Sequence, residues 1–219
     1  MIRGLVPDGV ATAEWTDPDS EPEPLLPEEA PLVAGAVAKR RREFLAGRGC
    51  ARRALGALGV APVPILSGAH REPLWPEGVA GSITHCPGYC AAAVGWRDAV
   101  GSIGIDAEVH RPLPDGVERL VCTPSERRWL EGAPRGVEWG MVLFSAKESL
   151  YKAWFPVARR WLDFADAELA VDTERGELTA QVAEPFRAVL GDSASRLRGR
   201  FQVGDGLVAT CVVIPPPER

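Results

Sequence analysis

The sequence is poor in several features that mark whole classes of proteins. Its 219 residues contain no apolar run of about 18 residues, the length that a transmembrane helix requires. The opening residues, MIRGLVPDGVATAEW, contain no apolar core segment, so we expect no secretory signal. Positive charge is in deficit, because 25 Lys and Arg stand against 30 Asp and Glu, a net charge of −5. This balance argues against non-specific binding to nucleic acids. We therefore expect a cytoplasmic protein that partners neither a membrane nor a nucleic acid.

Cysteine is scarce and irregularly spaced. The five cysteines are odd in number, and without a secretory signal a chain of this size predicts no disulfide framework. Cys86 and Cys90 flank Pro87-Gly88, a pair that indicates a turn, and no second pair of ligands accompanies them. We therefore do not expect a zinc site.

Composition and an internal repeat predict the architecture. Hydrophobic residues make up 46% of the sequence and charged residues 25%, which are ordinary values for a globular protein. FLAGRGCARRA at 44–54 and FSAKESLYKA at 144–153 align at an offset of 100, and a hairpin-like pattern follows each. The repeat predicts an α+β fold of two pseudo-symmetric halves, residues 1–100 and 101–219. A ligand site is expected in the cleft between them.

Local patterns give a coarse assignment of elements. Apolar residues at helical spacing predict helices, and a capping box at Thr123-Pro124-Ser125-Glu126 predicts the start of another. Apolar runs around Pro87-Gly88 predict a hairpin. The segment at 17–31 is rich in proline and acids and predicts an exposed loop outside the core. The predicted elements are helices at 33–59 and 137–155, the hairpin at 78–96, a strand at 99–109, and strand character at 167–182 and 199–214.

Three acids suggest a metal site. Asp106 and Glu108 lie two apart in the predicted strand, so their side chains share a face. Charge beside a core strand is costly unless it is paired or bound to a metal. Together with Glu148 on the predicted helix, these carboxylates offer hard oxygen ligands of the kind that Mg²⁺ prefers. Taken alone, an Asp-x-Glu pair is also common on exposed strands.

Cations are concentrated in two places. Seven Lys and Arg lie within residues 39–53, which is either a solvated face or a site for anions such as phosphate. Glu148 and Lys152 are four apart on a helix, which suits either a surface ion pair or an acid–base pair beside a reacting phosphate. His85 ends a strand, where it is either a structural hydrogen-bonding group or a phosphate contact.

Four segments in this order resemble the 4'-phosphopantetheinyl transferases of the Sfp/EntD type. They are RREFLAGRGCARRAL (41–55), REPLWPEGVAGSITHC (71–86), IGIDAE (103–108) and FSAKESLYKAW (144–154). The last two match the family's motifs nearly throughout, and the matched segments span about residues 40–155. Thr84 replaces the usual serine before the histidine, and Arg71-Glu72-Pro73 departs from the family's Gly-Lys/Arg-Pro form.

The resemblance implies the 4'-phosphopantetheinyl transferase fold, with the active site in the cleft between its halves. It also implies transfer of the 4'-phosphopantetheine arm of coenzyme A to a serine of an apo acyl, peptidyl or aryl carrier protein, giving holo-carrier and 3',5'-ADP. By motif matching, the carboxylates of Asp106, Glu108 and Glu148 would hold Mg²⁺, with Mn²⁺ as an alternative ion. The phosphates and the adenine region would be contacted by Arg48, Arg52, Arg53, Arg71, Thr84, His85, Lys147 and Lys152.

Phosphoryl-type transfer needs cationic groups for developing charge and a base for the serine hydroxyl. We expect Glu148 to take the serine proton, directly or through a metal-bound water, and Lys152 to stabilise or protonate the departing 3',5'-ADP. Two alternatives remain at this stage: a magnesium-dependent phosphodiesterase that hydrolyses coenzyme A, and a non-enzymatic coenzyme A-binding regulator. Carriers of siderophore, nonribosomal peptide or polyketide assembly are expected, with 109–136 as the docking element. A monomer is the simplest oligomeric state.

Overall fold

The structure is a computed structural model that describes residues 1–17, 19–184, 186–191 and 197–216. Within these ranges no helix has the length and apolar character needed to cross a membrane. The first part of the chain forms β1 (Ala11–Trp15), α1 (Ala38–Ala57), β2 (Val79–Cys86), β3 (Tyr89–Trp96) and the short α2 (Arg97–Val100). The second part forms β4 (Ser102–Val109), α3 (Val117–Val121), α4 (Pro124–Gly132), α5 (Trp139–Ala158), β5 (Ala167–Asp172), β6 (Glu177–Val182), α6 (Phe186–Leu190), β7 (Arg198–Gly204) and β8 (Leu207–Ile214). Short 3-10 helices lie at Ile2–Gly4, Ala30–Val33 and Phe164–Asp166.

The strands form two antiparallel sheets. The first has the order β1-β3-β2, and the second has the order β4-β8-β7-β6-β5. The predicted hairpin at 78–96 is β2–β3, and its turn at Pro87-Gly88 uses the positive φ of 79° that glycine adopts without strain. The fold class is therefore α+β, as the sequence predicts.

The two parts of the chain share one plan. In the first, β1 is followed by the 20-residue helix α1 and the β2–β3 hairpin, and the sheet order is β1-β3-β2. In the second, β4 is followed by the 20-residue helix α5 and later by the β7–β8 hairpin, and the order is β4-β8-β7. The repeat found in the sequence therefore has a counterpart in topology. The second part adds α3, α4 and the strands β5 and β6.

One hydrophobic cluster joins the two parts. Ile103, Ile105 and Ala107 of β4 pack with Ala91 and Ala93 of β3 in the same buried cluster. Separate clusters lie between α1 and the first sheet and between α5 and the second sheet. Because alternate residues of a strand face opposite sides, the even-numbered positions of β4 face away from this shared core.

β2 and β4 belong to different sheets, and side-chain hydroxyl groups of β2 join them. Ser82 Oγ accepts a hydrogen bond from the Ile105 N–H at 3.1 Å, and Thr84 Oγ1 accepts one from the Ala107 N–H at 2.9 Å. Ser82 and Thr84 of the edge strand β2 thus accept hydrogen bonds from two backbone N–H groups of the edge strand β4. Without these hydroxyl groups, the two N–H groups would be buried without a partner. We call this contact the seam.

Most of the local predictions are confirmed. The capping box at Thr123 forms with both of its hydrogen bonds, and the helix predicted at 137–155 is α5. All five cysteines are free and buried. The prediction of an exposed loop outside the core at 17–31 is wrong at Glu29, whose side chain is fully buried. Glu29 accepts hydrogen bonds from the Arg52 guanidinium and from the backbone N–H groups of Leu26 and Ile65, so it fastens this segment to α1.

Candidate active site

A cavity of about 620 Å³ lies between the two parts of the chain. Its walls come from α1, from the segment at 67–75, from β2 and from α5. A cavity is therefore present where the sequence predicts the ligand site. Of the predicted site residues, the ones that line it are Arg48, Arg71, His85, Glu148 and Lys152.

One face of α1 supplies cations to this cavity. Arg40, Phe44 and Arg48 are spaced four apart, so they lie along one side of the helix, and all three line the cavity. Arg48 is only 6% exposed, and its guanidinium carbon lies 4.3 Å from the centre of the Phe44 ring. It donates to Ser67 Oγ at 3.2 Å, whereas its buried Nε has no hydrogen-bond partner among the described residues.

The charge of Arg48 persists despite burial. Desolvation lowers its pKa to about 10, so the guanidinium remains a cation at neutral pH. Among the described residues it forms no salt bridge. A buried cation with an unsatisfied donor at a cavity wall is suited to an anionic ligand, because a charge-assisted hydrogen bond would satisfy both needs.

His85 faces the same cavity as a neutral ring. Arg40 Nη1 lies 3.0 Å from His85 Nε2, and because a guanidinium can only donate, Nε2 accepts and the proton is on Nδ1. Desolvation lowers the pKa of His85, and the nearby charges of Arg40 and Lys152 lower it further, while Glu43 opposes them. The ring therefore adds a polar group to the cationic wall without adding a charge at neutral pH.

The opposite wall is α5, which is held close to β4. A Cβ at Gly104 would overlap the carbonyl oxygen of Ser149, so only glycine permits this approach. Ser102 Oγ also donates to the Ala153 carbonyl oxygen at 2.7 Å. These contacts fix α5 so that Glu148 and Lys152, one turn apart, both line the cavity.

Lys152 and Asp106 form the central ion pair of the site. Lys152 Nζ lies 2.7 Å from Asp106 Oδ1 and also donates to the Ile105 carbonyl oxygen at 3.2 Å. The Lys152 side chain is 28% exposed, so it can also serve a ligand in the cavity. Asp106 is 4% exposed, and its other oxygen, Oδ2, is buried without a hydrogen-bond partner among the described residues.

The three predicted metal ligands influence one another electrostatically. Burial and then the charge of Asp106 raise the pKa of Glu108 to about 7, and Glu148 adds to the effect. Burial also raises the pKa of Glu148, with Asp106 adding to it and Lys152 opposing it. A divalent cation would relieve this mutual repulsion, and the unpartnered Oδ2 of Asp106 offers it a ligand.

The described residues do not form a complete metal cage. Among them, no group of three His, Cys, Asp or Glu side chains is placed so that it could hold a metal ion. Magnesium commonly uses only one or two carboxylates and takes its remaining oxygens from water and substrate phosphates. The residues therefore fit a magnesium ion whose coordination is completed by substrate.

Two predicted ligand contacts are corrected by the structure. Lys147 is buried, and its ammonium donates to Glu126 Oε2 and to the carbonyl oxygens of Val121 and Phe164, each at 2.8 Å. All three N–H donors are thus used inside the protein, and Lys147 does not line this cavity. Thr84 is also buried, and its hydroxyl bonds to Asp106 and Ala107 at the seam rather than facing the cavity.

The arginines beyond Arg48 divide between two locations. Arg52 pairs with buried Glu29 at 2.7 Å, and Arg53 pairs with Glu23 at 3.4 Å, so both are engaged away from the cavity and do not line it. Arg71 does line the cavity, from a position with a φ of 67°, which is unusual for a residue other than glycine.

A second cavity of about 100 Å³ adjoins the first. Its lining includes Glu148 and Tyr151, which also line the larger cavity, together with Leu150, Trp161 and Phe164. The two cavities therefore share part of their walls, at Glu148 and Tyr151. Sequence patterns did not single out several other polar and aromatic residues that line the larger cavity, among them Arg40, Phe44, Ser67, His70 and Tyr151. Helical spacing from Arg48 would have indicated Arg40 and Phe44, and spacing from Glu148 would have indicated Tyr151.

Comparison with known proteins identifies the chain. Residues 28–95 match the model of the 4'-phosphopantetheinyl transferase N-terminal domain, and residues 102–206 match that of the 4'-phosphopantetheinyl transferase superfamily. The chain is 48% identical to 4'-phosphopantetheinyl transferase Svp of Streptomyces mobaraensis over 99% of this chain and 90% of that protein. It is 48% identical to 4'-phosphopantetheinyl transferase PptT of Mycobacterium tuberculosis over 86% of each. It is also 31% identical to enterobactin synthase component D of Salmonella typhi, over 80% of this chain and 73% of that protein.

Identity at this level over nearly the full chain extends to the reaction. The protein transfers the 4'-phosphopantetheine arm of coenzyme A to a carrier protein, and neither the hydrolase nor the non-enzymatic regulator is favoured by its relatives. The cavity that Arg48, Glu148 and Lys152 line, and the ion pair that joins Lys152 to Asp106, draw on residues of both matched domains. The chain is a member of the 4'-phosphopantetheinyl transferase family.

Proposed function

We propose that the transfer takes place at Glu148, where the two cavities share part of their walls, with the pyrophosphate of coenzyme A at this junction. The larger cavity, with its buried cation and the Phe44 ring, suits the 3'-phosphorylated nucleotide. The smaller cavity, lined largely by apolar side chains, suits the start of the pantetheine arm. The junction at Glu148 is the single observation that supports this arrangement, because the bond to be broken lies between those two parts of coenzyme A.

The cationic wall would hold the phosphates. Arg48 has a free Nε, and Arg40 approaches it from the same helix face, so both can donate charge-assisted hydrogen bonds to phosphate oxygens. His85 and Arg71 are additional contacts on the same cavity. We do not retain Lys147, Thr84, Arg52 and Arg53 as direct contacts, because their polar groups are engaged elsewhere.

We propose Asp106 as the first ligand of a magnesium ion, with Glu108 and Glu148 as the other carboxylates. Oxygens of the pyrophosphate and water would complete the coordination, and Mn²⁺ would suit the same oxygens. When bound, the ion would neutralise negative charge on the pyrophosphate.

The protein's own residues would then accept the serine proton and neutralise charge on the leaving group. The carrier's serine oxygen forms a bond to the phosphorus that bears the pantetheine arm, and the bridging P–O bond to 3',5'-ADP breaks. Glu148, which lines the cavity with Lys152, takes the serine proton directly or through a water. Lys152, partly exposed beside Asp106, lies on the same helix face and neutralises charge that develops on the departing bisphosphate.

The carrier protein would dock beside α3 and α4, within residues 109–136. Leu120 is 74% exposed on α3, and Arg119 and Arg128 are exposed nearby. The neighbouring Val121 carbonyl oxygen accepts from Lys147, which directly precedes Glu148, so this surface lies close to the junction. An exposed apolar residue with cations around it suits the acidic surface that carriers of this family present near their serine.

We also propose the division into domains, the class of carrier, the cellular location and the oligomeric state. The division of the chain at residues 100 and 101 is supported by the two family models, which end at 95 and begin at 102. Likeness to enterobactin synthase component D supports a carrier of siderophore assembly, with nonribosomal peptide and polyketide carriers as related substrates. Five free cysteines are consistent with the reducing cytoplasm, and the acidic charge is consistent with a chain that binds no nucleic acid. A monomer suffices, since both walls of the site come from one chain.

Intact-protein mass spectrometry tests the proposal. An apo carrier is incubated with the protein, coenzyme A and Mg²⁺, in parallel with an EDTA-treated sample and a sample containing Arg48→Met. We expect one phosphopantetheine on the carrier, none with EDTA, and a requirement for much more coenzyme A in the variant. Full transfer in EDTA would overturn the magnesium site. Release of 3',5'-ADP without a change in carrier mass would instead indicate hydrolysis.

A further inference from the structure

Thr84 belongs to both parts of the protein at once. It lies on β2 in the first part, whereas both groups that its side chain contacts, Asp106 and Ala107, lie on β4 in the second part. The residue is 2% exposed and, unlike its neighbours Ile83 and His85, is not among the residues that line the cavity. Its hydroxyl is therefore directed at the seam.

The directions of the two hydrogen bonds are fixed by chemistry. The Ala107 N–H can only donate, so Thr84 Oγ1 accepts from it at 2.9 Å. The single hydroxyl proton is then available for Asp106 Oδ1, which lies 3.2 Å away. One hydroxyl thus satisfies a buried backbone donor and donates to a buried carboxylate.

The carboxylate is consequently held by one of its two oxygens. Thr84 and Lys152 both bind Oδ1, at 3.2 Å and 2.7 Å, while the buried Oδ2 has no partner among the described residues. Without Thr84, Lys152 alone would bind Oδ1, and a single partly exposed ammonium would leave the carboxylate free to rotate.

We propose that Thr84 is a positioning residue that orients Asp106, so that Oδ2 faces the divalent cation while Oδ1 stays within the protein. This inference rests on the proposed metal site at Asp106. It assigns the hydroxyl at position 84 to the support of a metal ligand instead of to a phosphate. Because Thr84 and Asp106 lie on different sheets, the orientation of the ligand depends on the two parts of the chain being correctly joined.

Ser82 provides a matched control within the same seam. It lies two residues earlier on β2, is similarly buried and accepts the Ile105 N–H at 3.1 Å, the same type of bond that Thr84 makes with Ala107. Among the described residues its hydroxyl makes no hydrogen bond to a carboxylate, although Ser82, unlike Thr84, lines the larger cavity. Ser82→Ala and Thr84→Val each leave one buried N–H without its acceptor, so both should reduce stability, but only Thr84→Val removes a bond to Asp106.

The test is Mn²⁺ binding by the full-length protein, followed through the electron paramagnetic resonance of free Mn²⁺, with and without coenzyme A. Loss of a group that orients a metal ligand typically weakens affinity about 10–100-fold, and we expect this for Thr84→Val. Thr84→Ser should restore affinity to within about threefold, because it keeps the hydroxyl. In the samples without coenzyme A, Ser82→Ala should leave Mn²⁺ affinity unchanged, although urea denaturation should show a loss of stability similar to that of Thr84→Val. Thr84→Ala replaces Thr84→Val if the latter does not fold.

Asp106→Asn separates the two ways in which the idea can fail. If Asp106→Asn abolishes Mn²⁺ binding but Thr84→Val does not weaken it, the metal site stands and Thr84 is only a seam residue. Equal weakening by Thr84→Val and Ser82→Ala also overturns the positioning role. If Asp106→Asn leaves Mn²⁺ binding intact, the proposed metal site is itself wrong, and the role of Thr84 is overturned with it.

Discussion

Each half of the protein contains a buried carboxylate that fastens one segment to its long helix. In the first half, Glu29 Oε2 accepts from Arg52 of α1 and from the N–H three residues earlier, and Oε1 accepts from Ile65. In the second half, Glu126 Oε2 accepts from Lys147 of α5 and from the N–H three residues earlier, and Oε1 accepts from Leu169. The correspondence is atom for atom, although the two segments share no obvious motif.

The halves differ in the groups that their helices present to the cavity. α1 presents Arg40 and Arg48, whereas α5 presents Glu148 and Lys152. In the proposed mechanism, a common scaffold thus carries phosphate-binding cations on one side, and the base and the cation for the leaving group on the other. In both halves a buried ion pair supports the long helix that forms a wall of the cavity. The two helices differ in the side chains that face the cavity.

The largest expected effect is on kcat, and it tests the role proposed for Glu148 of α5. Glu148→Gln keeps the shape of the side chain but removes the base, so kcat at saturating Mg²⁺ and coenzyme A should fall about 10²–10⁴-fold. The KM for coenzyme A should change far less, because the nucleotide wall is intact. Steady-state kinetics measures both quantities. Retention of the wild-type kcat would exclude Glu148 as the base, whether it acts directly or through water.

The next effect tests whether the two buried ion pairs are equivalent. Lys147→Met and Arg52→Met each leave a buried carboxylate without its cation, which should lower the free energy of unfolding by about 3–5 kcal/mol. Urea denaturation measures the loss. Arg53→Met is the control, because its partly exposed pair with Glu23 should contribute at most about 1 kcal/mol. A loss in only one of the two halves would break the comparison.

A smaller effect is expected on the side of α1. Arg48→Met removes the buried cation, and losing a charge-assisted hydrogen bond worth about 1.5–3 kcal/mol corresponds to a KM for coenzyme A raised about 10–150-fold. The kcat should stay near its original value, in contrast to Glu148→Gln. An equal fall in kcat for both variants would show that the two walls do not divide the work as described.

The smallest effect concerns pH. The pKa of His85 is lowered by desolvation, with Arg40 and Lys152 adding to the shift and Glu43 opposing it. Between this lowered pKa and the ordinary value near 6.5, the unfolded chain binds more protons than the folded one. Stability should therefore decline as the pH falls below about 6.5. Urea denaturation across this range should give a flatter profile for His85→Gln, and an unchanged profile would contradict the assignment.

Sequence periodicity predicted the elements that carry the site. The strand at 99–109, the hairpin at 78–96 and the helix at 137–155 rest on local patterns of apolar residues and turn residues, and all three are present. The shared face of Asp106 and Glu108 follows from the strand period of two. These features depend on neighbours along the chain, so a single sequence is sufficient to find them.

Two errors came from treating neighbours in a motif as neighbours in space. Lys147 and Glu148 are about 100° apart around a helix, so they face different surroundings. Lys147 in fact shares its side with the buried Leu143 and Leu150. Thr84 and His85 likewise face opposite sides of β2. Their partners Glu126 and Asp106 are 21 and 22 residues away, and no local pattern indicates such pairings.

The buried position of Glu29 has a practical consequence for anyone who prepares the protein. Its surroundings are acidic and rich in proline, so a sequence-guided trimming of the first thirty-odd residues would look harmless. The shortened protein would lack β1, which pairs with β3, and the carboxylate that neutralises Arg52, and it would lose Leu32 and Val33 from the cavity wall. Such a product would combine poor solubility with weak affinity for coenzyme A, and the defect could be mistaken for a failure of the enzyme's chemistry.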